Sequence, residues 1–298
     1  MYKEYQSVRG SIAVTKGSLR QISASGQVCN TFGIHNKLPN VFNLYNQGDL
    51  SFFANTGVLQ QPTTDKINYR RLNSKTALFA HNTQQEEVNS VDIYDDTAGI
   101  GIGGRIADMV SLNGYTSGTI SVSGGAPALV SNESPLLVVN PAGYEKFNQV
   151  PWEQVSKSNI KELNKATNFG SGVMDEIWSD KLLQAMSEND ILYTQMNSVR
   201  LSNNFPATKL GKQMGSIAKL IKTRDARKTD RDVFYAKLSG FDTHGQQTTA
   251  LDTILKEVDD ALNIFVKEMK SQSLWNDVAV VFVSEFGRTL KANTGNGR

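Results

Sequence analysis

Two short polar stretches carry the residue types most able to do chemistry. In "LSGFDTHGQQ" (238–247), Asp242 and His244 are separated by one residue and follow a β-prone run. In "SEFGR" (284–288), Glu285 and Arg288 follow a second apolar run. A carboxylate, an imidazole and a second carboxylate brought to one place would suit a transition-metal or zinc ion held by mixed nitrogen and oxygen ligands. Arg288 would add a planar fork for a phosphate, sulfate or carboxylate group. The same residues also read as plain loop chemistry. Asp242 would then cap the turn that follows it, His244 would be a loop histidine with a local partner, and Glu285 would pair with Arg288.

Two more histidines and one glycine loop belong with these. "LFAHNTQQ" (78–85) sets His81 and Asn82 just ahead of a helix start, where backbone N–H groups can bind an anion or simply be capped. His35, in "TFGIHNKLP" (31–39), reads as a packing or capping residue. "GIGIGGRIAD" (99–108) looks like a phosphate cradle, but no clear strand precedes it and no acid follows at the distance a dinucleotide site needs. It reads instead as a tight loop into a helix, with Arg105 as a ligand contact or a structural fork.

The elements that must position these residues follow from periodicity. "DVFYAKLSG" (232–240) predicts a strand with Val233, Tyr235 and Lys237 on one face and Phe234, Ala236 and Leu238 on the other. Thr248 or Thr249 caps a helix whose apolar set, Leu251, Ile254, Leu255, Val258, Leu262, Phe265, Val266 and Met269, recurs every 3.6 residues. "DVAVVFVSEFGR" (277–288) then has the continuous apolar run of a buried parallel strand. Strand, helix, strand in this order makes a βαβ unit, whose strands deliver their following loops to one sheet edge. The Asp242 and Glu285 loops should therefore meet.

Upstream, Leu38–Gly48 predicts a short helix stopped by Gly48, and "DLSFFANTGVL" a strand centred on 51–54. A helix opens near "AHNTQQEEVNSV", and residues 102–114 show amphipathic spacing through Ile106, Met109 and Val110. Residues 115–150 alternate β-prone runs with Gly, Pro and Ser, which predicts hairpins or a β-rich insertion beside the main sheet. Residues 152–220 turn helical and polar. The fold class expected is α/β in one domain spanning 1–298.

Composition narrows the function classes. The chain has 298 residues, enough for one large α/β domain, and 31 basic residues against 29 acidic ones leave a net charge of +2. No dense basic block exists to neutralise phosphates, so nucleic acid is not an expected partner. "KLIKTRDARKTDR" (219–231) is broken by acids and reads as a solvated helix end. One cysteine, Cys29, excludes an intrachain disulfide framework. No apolar run approaches the roughly 18 residues of a membrane span, and "MYKEYQSVRG" contains no apolar core of a signal peptide.

Taken in order, "FGIHNKLPNVFNLYNQGDLSFFANTGVLQQPTT", "LFAHNTQQ", "GIGGRIADM", "GFDTHGQQ" and "SEFGRT" resemble the bacterial family catalogued as domain of unknown function 1501, from about Tyr5 to Thr289. That family is related to the alkaline phosphatase and sulfatase superfamily. The resemblance implies a doubly wound, mostly parallel α/β sheet with a metal-centred site at the carboxyl ends of its strands. It implies one or two divalent metals (Zn, Mn or Ca), with Asp242, His244 and Glu285 as ligands. It implies hydrolysis of a small-molecule or polymeric phosphate or sulfate ester, with His81, Thr83 and Arg288 in catalytic positions and Gly287 completing the last turn. A twin-arginine export signal on a longer parent, and hence a periplasmic or extracellular location, is also implied.

The departures matter as much as the matches. Ala80 stands where the family often has serine, and Thr83 where it often has aspartate; Thr83 or water would have to replace a lost hydroxyl. A Gly-Gly-Asn-Asp-like first strand and an Asp-His-Gly-like or Asp-His-Ala-like last segment are both missing from residues 1–298. The chain is therefore expected to be an internal fragment, incomplete at both ends, with an unfinished metal shell. The other reading is a catalytically degenerate binding or surface-assembly module that keeps the fold.

Overall fold

The computed structural model describes residues 2–54, 56–58, 80–90, 99–141, 158–159, 162, 173–287, 290–291 and 293. Its centre is a three-stranded parallel sheet in the order β4-β3-β5, formed by β3 (Ser117–Ser121), β4 (Leu136–Val138) and β5 (Arg231–Tyr235). Thr119 pairs with Leu136 on one side of β3, and Ser117 through Ser121 pair with Arg231 through Tyr235 on the other. A separate antiparallel hairpin joins β1 (Arg20–Ser23) to β2 (Thr31–Ile34). The helices are α1 (Tyr2–Arg9), α2 (Pro39–Gln47), α3 (His81–Ser90), α4 (Ile102–Leu112), α5 (Val173–Ser198), α6 (Lys209–Lys222), α7 (Arg224–Arg227) and α8 (Gln247–Ser271).

Parallel strands are buried on both faces, and the side-chain period of two divides β5 as its sequence predicts. Phe234, Ala236 and Leu238 pack into the core formed with α6 and α8. Val233 faces the other way, toward α4, where a Cβ on Gly103 would come within 3.0 Å of its Cγ1. Helices therefore cover both faces, and the α/β class expected from the sequence is what the structure shows. The stripe of α8 holds too: Leu262, Phe265, Val266 and Met269 are buried among Leu210, Met214, Ile217 and Leu220 of α6.

The long helix α8 also supplies carboxylates that finish its neighbours. Helix α2 starts at Pro39 with no side-chain cap of its own. Buried Asp259 takes that role, accepting from the N–H of Asn40 at 2.9 Å, the N–H of Val41 at 3.0 Å and Asn40 Nδ2 at 2.6 Å. Glu257 accepts from Leu210 N at 2.8 Å at the start of α6. Glu268 accepts from Asn203 N and Nδ2 at 2.9 and 3.0 Å. Orphan N–H groups at the starts of α2 and α6 need such partners, and α8 provides them, while Glu268 ties down the loop ahead of α6. The cap expected from Thr248 or Thr249 is not used; the residue before α8 is Gln246, in left-handed conformation with φ of 47° and no side-chain capping bond.

Several expectations are corrected. Of residues 277–288, predicted as a buried strand, Asp277 ends a 3-10 turn, 278–284 have no strand pairing among the described residues, and Val281 is 80% exposed. Residues 51–54, predicted as strand, are likewise unpaired, and Phe53 is 86% exposed. An apolar run becomes a strand only where a neighbour accepts its backbone, and β5 is the edge of the sheet. Strands β3 and β4, read from sequence as hairpins or an insertion, are members of the main parallel sheet; residues 142–150 of that stretch lie outside the described residues. Helix α4 forms where predicted and stops before Gly114 at φ of 82°. Its inward face, however, is Gly103, Gly104 and Ala107, while Ile106 and Met109 are exposed. The glycines let the helix backbone approach residues 127–130: a Cβ on Gly104 would sit 1.9 Å from the Val130 carbonyl oxygen.

Candidate functional site

Three segments deliver polar side chains to one place. His81 is the first residue of α3, whose first turn is closed by the Ala80 carbonyl accepting from Gln84 N. Asp242 and His244 lie in the loop after β5, ahead of α8. Glu285 follows the unpaired run 278–284. The loops expected to meet do meet, through His81. Its Nδ1 lies 2.8 Å from Glu285 Oε1, and its Nε2 lies 3.2 Å from Asp242 Oδ2. The same Asp242 oxygen lies 3.0 Å from His244 Nε2. The ring of Phe286 packs against that of His81, with centroids 4.9 Å apart.

The protonation follows from this geometry. Ionised carboxylates only accept, so a carboxylate at each ring nitrogen favours the form of His81 that carries a proton on both. The bond to Glu285, followed by the bond to Asp242, accordingly raises the His81 pKa above its ordinary value. For Glu285, burial works against ionisation, but its own backbone N–H, His81 and Gln85 outweigh it and leave the carboxyl below its usual range. Tyr235 is pushed up by burial and then by the nearby Glu285 charge. The cluster is thus an imidazole held between two carboxylates that favour its charged form, half open to water at His81.

The remaining candidates sort clearly. The Thr83 hydroxyl donates to the Ala80 carbonyl at 3.2 Å, closing the first turn of α3. Arg288 and Thr289 lie outside the described residues. His35 is structural: its Nδ1 accepts from Lys37 N at 3.3 Å, and its Nε2 lies 3.5 Å from Asp252. Burial lowers its pKa more than Asp252 raises it. The glycine loop is a packing device, since Gly101 N donates to Val130 O at 2.9 Å. The motif reading missed Gln85 and Lys237. Lys237 Nζ donates to Gln85 Oε1 at 3.1 Å, and Gln85 Nε2 reaches Glu285 Oε1 at 3.5 Å. A signal existed, because Gln85 is four residues from His81 and so shares its face of α3.

The donor set can be tested against a divalent ion. Ligands held about 2.0–2.2 Å from zinc lie roughly 3.0–3.5 Å from each other. The His81–Asp242 and Asp242–His244 separations, 3.2 and 3.0 Å, fall in that range. Among the described residues, however, no group of three or more His, Cys, Asp or Glu side chains is arranged to hold an ion. The donor types fit a mixed nitrogen–oxygen site, and both ring nitrogens of His81 already face carboxylates.

Residues 21–298 match the family described as Protein of unknown function (DUF1501). The chain belongs to that family. No curated protein and no solved structure matches it. The DUF1501 match covers every element that delivers the cluster, from β2 and α2 through the Glu285 loop. Among the described residues no helix is long and apolar enough to cross a membrane.

Proposed function

We propose that this DUF1501 chain is the core of an exported, metal-dependent hydrolase acting on phosphate or sulfate esters. The observation that carries the proposal is the convergence of His81, Asp242, His244 and Glu285 from three separate segments. Asp242 and His244 would hold the ion, with His81 joining them through Nε2 once that nitrogen is free of its proton, while Glu285, at the opposite ring nitrogen, would orient the imidazole rather than share the ion. A bound divalent ion supplies Lewis acidity and a water or hydroxyl of lowered pKa. Asp242 bridges the two histidines and fixes the rings of both. With Nε2 on the ion, His81 would be oriented through Nδ1 by Glu285 and would help set the acidity of the bound water. Arg288, two residues past Phe286, is assigned the ester anion.

The proposal extends to a doubly wound, alkaline-phosphatase-like sheet. Its support is internal to the chain. The runs 51–54 and 278–284 carry exposed apolar side chains and have no strand pairing among the described residues, and near their starts Trp275 Nε1 donates to Asp49 at 3.2 Å. A further strand between them and β5 would bury both runs.

The direct test is a panel of aryl phosphate monoesters, phosphodiesters and sulfate esters, assayed with Zn, Mn or Ca and again with chelator. Turnover that chelation abolishes supports hydrolysis. The competing reading, a non-catalytic binding or assembly module of the same fold, is favoured by Ala80 and by the engagement of the Thr83 hydroxyl with the Ala80 carbonyl. Metal binding without turnover of any ester would favour it.

A further inference from the structure

We propose that Lys237 and Gln85 are positioning residues for the Glu285–His81 pair, at the outer end of a relay that starts in the core at Gln213. Gln213 lies on α6 and is 1% exposed. Its Nε2 donates to the Lys237 carbonyl at 3.1 Å, and its Oε1 accepts from the Lys237 N–H at 3.1 Å. Lys237 sits two residues beyond Tyr235, the last paired residue of β5. A neighbouring strand would ordinarily satisfy both backbone groups of such a residue; here one buried amide does.

Every orientation along the relay is then determined. The Lys237 ammonium can only donate, so Gln85 must turn its oxygen toward it, at 3.1 Å. The Gln85 NH2 group is thereby turned to Glu285 Oε1, at 3.5 Å, the longest link of the series. That same Glu285 oxygen accepts from His81 Nδ1 at 2.8 Å. Without the ammonium the Gln85 oxygen loses its donor, and the one 3.5 Å link to Glu285 is left to hold the side chain in place. Lys237 is exposed and Gln85 half-buried, so neither is placed to contribute much to stability. Outer groups of this kind orient the groups that do chemistry, and their loss commonly lowers metal affinity about 10- to 100-fold.

The positioning claim stands on the hydrogen-bond directions alone; only its consequence for metal affinity rests on the function proposed above. Two readouts on the full chain separate them. The first is the 1H–15N spectrum of the Gln85 side-chain amide and the His81 ring in wild type, K237M and K237R. We expect K237M to shift both sets of signals, K237R to restore them, and the unfolding midpoint of K237M to change by less than about 2 °C. Unmoved Gln85 and His81 signals in K237M overturn the proposal, as does a drop in midpoint that accounts for the spectral change. The second readout is Zn(II) affinity by chelator competition, expected to fall about 10- to 100-fold in K237M and Q85L but not in K237R. A wild-type chain that binds no Zn(II) sinks the metal reading, while the spectra still decide the positioning.

Discussion

Replacing Asp259 by alanine tests whether α8 holds the fold together through the carboxylates it lends to other helices. The carboxylate accepts from two backbone N–H groups at the start of α2 and from the Asn40 side chain. A hydrogen bond to a charged group is worth about 1.5–3 kcal/mol net, and an N-cap about 0.5–2 kcal/mol. The three bonds share one acceptor and do not add fully, so D259A should cost about 3–4 kcal/mol. Asn40→Ala removes only the side-chain bond and should cost about 1 kcal/mol. Asp259→Asn keeps the shape but sets one amide against another, and should fall between the two. Urea unfolding followed by far-ultraviolet circular dichroism at unchanged slope reads the differences as shifts in midpoint. A D259A variant within about 1 kcal/mol of wild type, or no more destabilised than N40A, would refute the capping argument.

Three further outcomes can be checked alongside it. Gly104→Ala should destabilise by at least about 2 kcal/mol, because its Cβ would fall 1.9 Å from a backbone oxygen that cannot rotate away; thermal unfolding will show a near-neutral change if the contact is misjudged. Val281→Ser should stay within about 0.5 kcal/mol of wild type, as an exposed position requires, whereas a buried strand residue would lose 2 kcal/mol or more. Burial works to raise the pKa of Glu268, but hydrogen bonds from Gln272, Asn203 and Ser202 prevail and lower it. Its contribution to stability is therefore present above the unfolded-state pKa and lost as pH falls through the lower folded value. Urea midpoints measured from pH 7 downward should fall less steeply in E268Q than in wild type; equal slopes would remove Glu268 from the acid limb.

The elements most legible in the sequence were those whose pattern is local. The α8 stripe, the two faces of β5 and the Gly48 stop of α2 depend on residues close in the chain, and all three are realised. What failed was the step from apolar run to paired strand. Residues 278–284 have the composition of a buried strand, but strand formation is decided by a partner elsewhere in the chain, which composition does not encode. Helix α4 misled for a related reason: burial went to the face that allowed backbone contact, through Gly103 and Gly104, rather than to the larger apolar side chains. At the cluster, the motifs brought Asp242, His244, Glu285 and His81 forward as candidates. They could not show that His81 stands between the two carboxylates, because contacts 161 and 204 residues apart are set by the sheet. Gln213 and Lys237 carried no motif at all; their pairing joins a helix to a strand end.

The proposed function requires that the cluster of His81, Asp242 and His244 bind a divalent cation. Isothermal titration of the chain with Zn(II) at pH 5.5, 6.5 and 7.5 tests it most directly. Because His81 has a raised pKa and must release a proton to become a ligand, affinity should rise across the series, with proton release visible as a buffer-dependent heat. Asp242→Ala and His244→Ala should each abolish or strongly weaken the binding. Absence of binding at every pH, or binding indifferent to pH and to both substitutions, would contradict the account.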